Sequence, residues 1–235
     1  VCYLVAHSLY KASLFMLAGG IDHSAGTKDM QLLQGLRHAM PITFGLVIVG
    51  ALSLAGLPPL FGFIGKELLL EAGLGAPFWI IAAIVFASAI TVGVAFSLIT
   101  KPFLGEKTTL PKTPHESPVT MLAGPIVLLV LSVIFGIVPF VAYASFAHSA
   151  VHAVAGYGVS FELKLWHGVN SALMLSLLSI LIGSAFAYLW SRTRPLAERI
   201  VRWSETFGPE RLYFHIMDGI ALFSAWQTRI IENGR

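Results

Sequence analysis

Long apolar blocks joined by short polar connectors leave this chain few ways to fold. The blocks fall at about 1–21, 41–64, 78–101, 119–146 and 168–190. A helix needs about 20 apolar residues to cross a hydrocarbon core. Of the 235 residues, 56% are hydrophobic and 11% charged, and soluble domains carry roughly twice that charged fraction. The apolar stretches do not alternate with polar residues as the strands of a membrane barrel would. The expected fold is therefore an all-α membrane protein, a polytopic helical bundle. Cys2 is the single cysteine, which excludes an intrachain disulfide and a cysteine cluster for zinc or iron–sulfur ligation. Glycine-rich phosphate loops, nucleophile elbows and dinucleotide fingerprints are absent from the sequence. The expectation is a lipid-embedded chain with no cofactor, no bound metal and no nucleic-acid partner. Val1 already lies inside an apolar run, without a basic leader region. That beginning and the abrupt end at Arg235 suggest an internal piece of a longer polypeptide.

Two lysines interrupt this apolar pattern. Lys11 lies in VCYLVAHSLYKASLFMLAGGI, and Lys66 follows SLAGLPPLFGFIG. A lysine at the centre of a lipid-facing helix costs on the order of 3 kcal/mol. Such residues normally face a bundle interior or a wet cavity, and two of them suggest a path for protons or ions. Gly56, Pro58, Pro59, Gly62 and Gly65 cluster just before Lys66. Proline removes a backbone donor, and glycine permits unusual dihedrals. The second span is therefore expected to be discontinuous, with a second half near 64–73. Unwound backbone at membrane depth requires protein or a wet cavity to satisfy it. Desolvation penalises a buried ammonium relative to the amine, which is what a proton-exchanging site requires. The competing reading is that Lys66 snorkels to the headgroups. Glu67 and Glu71 follow on the same half-helix and are candidates for an exit toward solvent.

His7 and Lys11 are spaced i, i+4 and share a helix face. Two readings stand for His7: a proton relay with Lys11, or a histidine satisfying one buried hydrogen bond. Asp22 and His23 end the first block, as a helix cap or as a mouth that steers protons. His148 and His152 are also i, i+4, but a pair without a third ligand is a weak zinc signal. His115 and Glu116 lie in TTLPKTPHESP and read as a solvated turn.

Charge placement orients the bundle. With five crossings, one side receives residues 22–40, 102–118 and 191–235. It carries Lys28, Arg37, Lys101, Lys107, Lys112, Arg192, Arg194, Arg199, Arg202, Arg211, Arg229 and Arg235. Lys164 falls on the other side. The positive-inside rule makes the basic side cytoplasmic. From about 195 to 231, Leu196, Ile200, Trp203 and Phe207, then Leu212, Ile216, Ile220, Phe223 and Ile230, recur at helical spacing among charged residues. This predicts a basic amphipathic helix on the membrane surface or along neighbouring helices.

The stretch AHSLYKASLFMLAGGIDHSAGTKDMQLLQGL resembles the HxxxKAxLFL helix of proton-translocating subunits related to respiratory complex I, and LPPLFGFIGKELLLE resembles their broken helix. GGIDHSAGTKD, LPKTPHESP and LWHGVNSALMLSLLSILIG are similar to the IDHETGTRD, PHEAP and LWHGFN patterns of the large A subunit of Mrp-type cation/proton antiporters. Complex I counterparts usually read GFFSKDEI where this chain has GFIGKELL. The resemblance implies that Lys66, Lys11 and His7 belong to a hydrophilic axis through the membrane centre. It implies that residues 1–146 are the second half of an antiporter-like bundle, that 147–190 form a connector and a further span, and that 191–235 form a cytoplasmic-side lateral helix. It further implies other subunits of a multisubunit antiporter as partners, in a bacterial cell membrane. Protons and monovalent cations, sodium first, would be the transported species, moved without enzymatic chemistry. The alternatives are an antiporter-like membrane subunit of complex I or a related hydrogenase, and a structural scaffold with inert buried lysines.

Overall fold

Hydrocarbon offers no partners for backbone amides, and helices satisfy theirs internally. A computed structural model describes residues 1–30, 32–106, 108–156, 163–166, 168–189 and 208–231. Among these residues all regular structure is helical. The main elements are α1 (Cys2–Ala25), α2 (Pro41–Ala55), α3 (Phe61–Leu74), α4 (Phe78–Phe103) and α5 (Val119–Ile137). They are followed by α6 (Pro139–Ala142), a π turn (Tyr143–Ala147), α7 (His148–Ala155), α8 (Ser171–Tyr188) and α9 (Pro209–Ile231). Among the described residues, α1, α4, α5 and α8 are long and apolar enough to cross a membrane. With 15 residues, α2 reaches only about 22 Å. It is one half of the expected broken span, and α3 is the other.

The chain divides into two units, Val1–Ala187 and Tyr188–Arg235. In the first, α1 packs against α2, α3 and α5, while α4 lies along α2 and α3. Large apolar side chains such as Leu17, Phe61 and Phe103 fill the core between the helices, and small residues and a few hydroxyls sit where helices approach closely. Ser53 and Ser132, both buried, share a 3.1 Å hydrogen bond between α2 and α5. A methyl group on Gly183 of α8 would lie 2.3 Å from the Ala89 carbonyl of α4. Phe61, Phe135 and Phe146 meet with ring centroids 5.6–6.2 Å apart and hold the first turn of α3. In the second unit, α9 keeps Leu212, Ile216, Ile220, Phe223 and Ile230 exposed at helical spacing. The expected amphipathic positions from 195 to 207 lie outside the described residues.

The block expected as one span over 119–146 is divided. α5 stops at Ile137, and α6 begins at Pro139. Pro139 has no N–H, and it disfavours helical dihedrals at the residue before it. Val138 accordingly sits at φ −120°, ψ 75°.

The loops 26–40 and 104–118 fold over one another at one end of the bundle. The Lys112 N–H donates to Ala25 O at 3.3 Å, and the Thr108 hydroxyl donates to Leu32 O. This brings Lys28, Arg37 and Lys112 to a common end, in agreement with their assignment to one side. Asp22 does not act as a side-chain cap. α1 continues to Ala25, and the Gly26 N–H caps it at Asp22 O, 2.8 Å away. The Asp22 carboxylate instead pairs with Lys28 at 3.6 Å, an exposed pair worth about 0–1 kcal/mol. His23 is exposed in the same last turn.

Glu116 departs from the solvated turn expected of it. Its carboxylate accepts the Ile42 N–H at 2.7 Å, the Thr43 N–H at 3.3 Å and the Thr43 hydroxyl at 2.5 Å. α2 needs this external partner because its N-cap residue is Met40, which offers no side-chain oxygen, and because Pro41 follows. The carboxylate also sits at the positive end of the α2 dipole. Replacing Glu116 with alanine is expected to destabilise the bundle by about 1–2 kcal/mol, the scale of a lost N-cap. His115→Ala, at an exposed neighbour, is expected to stay within about 0.5 kcal/mol. Thermal unfolding of the two variants in detergent checks the contrast.

Candidate functional site

The last carbonyls of a helix have no partner within it, and the site is built on one of them. α2 ends in a Schellman turn: the Leu57 N–H bonds to Leu52 O at 3.0 Å, and the Gly56 N–H to Ser53 O at 3.1 Å. Gly56 is left-handed at φ 74°, a conformation in which other residues cost roughly 1–2 kcal/mol. The turn leaves the Ala55 carbonyl directed past the helix end, where Lys66 Nζ donates to it at 3.2 Å. Side chains on a helix tilt toward its N-terminus. A lysine in the second turn of α3 therefore reaches back across the gap to α2. Lys66 is 6% exposed, so the structure places it inside the protein and not among headgroups. The ammonium also faces the negative end of the α2 dipole.

The predicted breakers each have a place in this geometry. A methyl on Gly56 would lie 2.5 Å from Lys66 Cδ, and one on Gly62 would lie 1.9 Å from Ser53 O. Gly65 faces Tyr3 and Ala6 of α1 at 3.1–3.3 Å. Pro58 and Pro59 occupy the gap between α2 and α3. Gly136 of α5 completes the fit, because a methyl there would lie 2.0 Å from Pro59 O. Sequence reasoning missed Gly136, which is far from the break along the chain and carries no local signal.

Lys66 lines a cavity of about 340 Å³ between α1, α3 and α4, together with Tyr3, Tyr10, Ser88 and Thr91 and apolar neighbours. Tyr10 is 3% exposed. Its hydroxyl shares a 3.1 Å hydrogen bond with His7 Nδ1, and the two rings are 5.3 Å apart. His7 is half-buried, while Lys11 is exposed on the neighbouring flank of α1. The i, i+4 spacing thus gives a shared helix side, but the His7 hydrogen bond goes to Tyr10. Tyr10 was legible only as an aromatic residue three positions after His7.

Glu67 and Glu71 part company. Glu71 is exposed, whereas Glu67 is 4% exposed and sits at no solvent exit. The Asn170 amide donates to Glu67 Oε1 at 3.4 Å, and Asn170 Oδ1 accepts the Leu173 N–H at 2.7 Å. Asn170 thereby caps α8 and ties it to α3, a role that no spacing in the sequence announced. The rings of His148 and His152 lie with centroids 4.3 Å apart, tilted by 45°. Among the described residues no group of three or more metal-ligating side chains converges.

Residues 1–91 match a family model described as NADH:quinone oxidoreductase/Mrp antiporter, TM. The chain is 36% identical over 231 residues to the A1 subunit of a Na(+)/H(+) antiporter from Staphylococcus haemolyticus, covering 88% of this chain and 28% of that one. It is 38% identical over 197 residues to the A/B subunit of a probable K(+)/H(+) antiporter from Rhizobium meliloti, covering 80% of this chain and 20% of that one. The chain therefore spans less than a third of the length of these curated relatives. Among solved structures it is similar to a chain of the Mrp complex from Dietzia sp. DQ12-45-1b, with TM-score 0.71 and 27% identity over 98% of this chain and 25% of that one. A chain of an archaeal membrane-bound sulfane sulfur reductase shares the fold at TM-score 0.65 and 20% identity, over 98% of this chain and 43% of that one.

Gly56→Ala is expected to strain the helix end and displace Lys66 from Ala55 O. It should lower the melting temperature of the detergent-solubilised protein and impair function together. Gly45→Ala in α2, where a methyl group meets nothing within 4 Å, should leave both unchanged or slightly raise stability.

Proposed function

We propose that this chain, which belongs to the NADH:quinone oxidoreductase/Mrp antiporter family, forms part of the proton path in the large A-type component of a multisubunit monovalent cation/proton antiporter. One observation carries the reading: Lys66 is buried beside a cavity in a membrane-spanning bundle and held by the carbonyl that a helix break releases. Ala55 O and the negative end of α2 hold the Lys66 side chain beside the cavity. From there Lys66 takes a proton from the cavity and gives it up as neighbouring charges change. His7 and Lys11 extend the path sideways along α1. Lys11 lies on an exposed flank, and an ammonium facing lipid there would cost on the order of 3 kcal/mol. That flank is assigned to contact with protein. Other subunits of the complex and further parts of the same large component supply the rest of the path.

The relatives' names differ in their cation, sodium in one and potassium in another, so the proposed substrate is a monovalent cation with sodium as the first to test. Residues 1–146 are read as the second half of the antiporter-like bundle, 147–190 as a connector and further span, and 191–235 as an amphipathic lateral helix. The end carrying Lys28, Arg37 and Lys112 is assigned to the cytoplasm by the positive-inside rule. The chain serves transport and is not an enzyme. A redox-driven pump would use the same lysines, but identity of 36–38% to antiporter subunits favours cation exchange.

The test expresses the whole operon in a host lacking sodium antiporters and follows the pH gradient in everted vesicles energised with ATP. Added sodium or potassium should collapse the gradient, and Lys66→Ala should abolish the response while the complex still assembles. Full activity in Lys66→Ala would remove Lys66 from the mechanism. Proton pumping seen only with an electron donor, with no cation response, would move the chain to the redox-driven branch.

A further inference from the structure

Tyr10 lies where two parts of the site meet. Its side chain lines the Lys66 cavity, and its hydroxyl is hydrogen-bonded to His7 Nδ1 at 3.1 Å. His7 itself does not line that cavity. Tyr3 does, but it meets His7 only ring to ring at 5.9 Å, and its side chain is hydrogen-bonded to Tyr10 on the cavity side of the link. Thr91 also lines it, with its hydroxyl hydrogen committed to Ser88 O at 2.8 Å. We propose that the Tyr10 hydroxyl is the proton link between the Lys66 cavity and His7. The inference rests on the proton-path reading above and adds a residue to it.

The chemistry suits the bond. A phenol both donates and accepts, and a neutral imidazole presents one N–H and one bare nitrogen. When His7 carries its proton on Nε2, the Tyr10 O–H donates to Nδ1. When Nδ1 is protonated, the phenol oxygen accepts. The hydrogen bond therefore survives reversal, as a two-way exchanger requires. In one passage the Tyr10 O–H bond breaks as an Nδ1–H bond forms on His7. A proton arriving from the cavity restores the O–H, and the imidazolium releases its Nε2 proton on the far side. One proton crosses, the phenol ends neutral, and His7 is left as the Nδ1–H tautomer, which a ring flip resets before the next passage in the same direction. A direct hop from Lys66 to His7 would bypass this link, but Tyr10 lines the cavity that Lys66 lines and His7 does not.

Tyr10→Phe removes the hydroxyl and keeps the ring. In the assembled complex, assayed in the same ATP-energised vesicles with sodium added, the initial exchange rate should fall roughly tenfold to hundredfold, toward the scale of a lost acid–base group. A wild-type rate in Tyr10→Phe, alongside an inactive Lys66→Ala, would overturn the link and leave the proton-path reading intact. Full activity in Lys66→Ala would overturn both. Placing 3-fluorotyrosine at position 10 separates chemistry from structure, and decides the matter if Tyr10→Phe does not assemble. The ring and hydroxyl remain while the phenol becomes more acidic. A changed rate supports the link, and an unchanged rate refutes it.

Discussion

The contact between Lys66 Nζ and Ala55 O is the interaction around which the bundle is arranged. A continuous helix would have no free carbonyl at that level, because each C=O in its interior is used four residues on. Stopping α2 at Ala55 leaves one free, and restarting at Phe61 sets Lys66 where its side chain leans back toward it. The break would be intolerable in lipid. It persists because α1, α4 and α5 enclose it, and because the Schellman turn recovers the carbonyls of Leu52 and Ser53.

That enclosure depends on backbone approaching backbone. Gly62 against Ser53 O and Gly136 against Pro59 O leave no room for a methyl group. The aromatic trio of Phe61, Phe135 and Phe146 then fills the space beside the gap. Rigid surroundings matter because a small displacement of the α2 end would break the Lys66–Ala55 O hydrogen bond. Glu116 does similar work at the other end of α2, where a carboxylate from a distant loop supplies the cap that Met40 lacks. One short helix is thus secured at its start by a carboxylate and at its end by an ammonium, each matched to the dipole.

The polar groups inside the bundle are shared between helices and not clustered on one. Lys66 joins α3 to α2, Asn170 joins α8 to α3, and Ser53 joins α2 to α5. Others stay on one helix, such as His7–Tyr10 and Ser13–Tyr10 O on α1 and Thr91–Ser88 O on α4. This distribution explains why reading each block by itself finds the charged residues but not all of their partners. Spacing puts His7 and Lys11 on one helix side and leaves the Tyr10 partner of His7 unstated. Glu67 is expected with Glu71 near a solvent exit, yet is buried against Asn170.

By itself the sequence determined the class of fold, the position of the helix break and the identity of its lysine. Each is a local or compositional property. Apolar length dictates helices in lipid, glycine and proline stop a helix wherever they fall, and a lysine in an apolar block is visible without any partner. The division of 119–146 at Pro139 was legible in the same way, although span length alone obscured it. Tertiary structure alone decided that Ala55 O receives Lys66, that Glu116 caps α2, that Gly136 admits the Pro58–Pro59 gap, and that Tyr10 reaches both His7 and the cavity. These are contacts between residues distant along the chain, or choices among neighbours on a helix surface. Periodicity fixes which side of a helix a residue occupies, but only the neighbouring helices fix what it meets there.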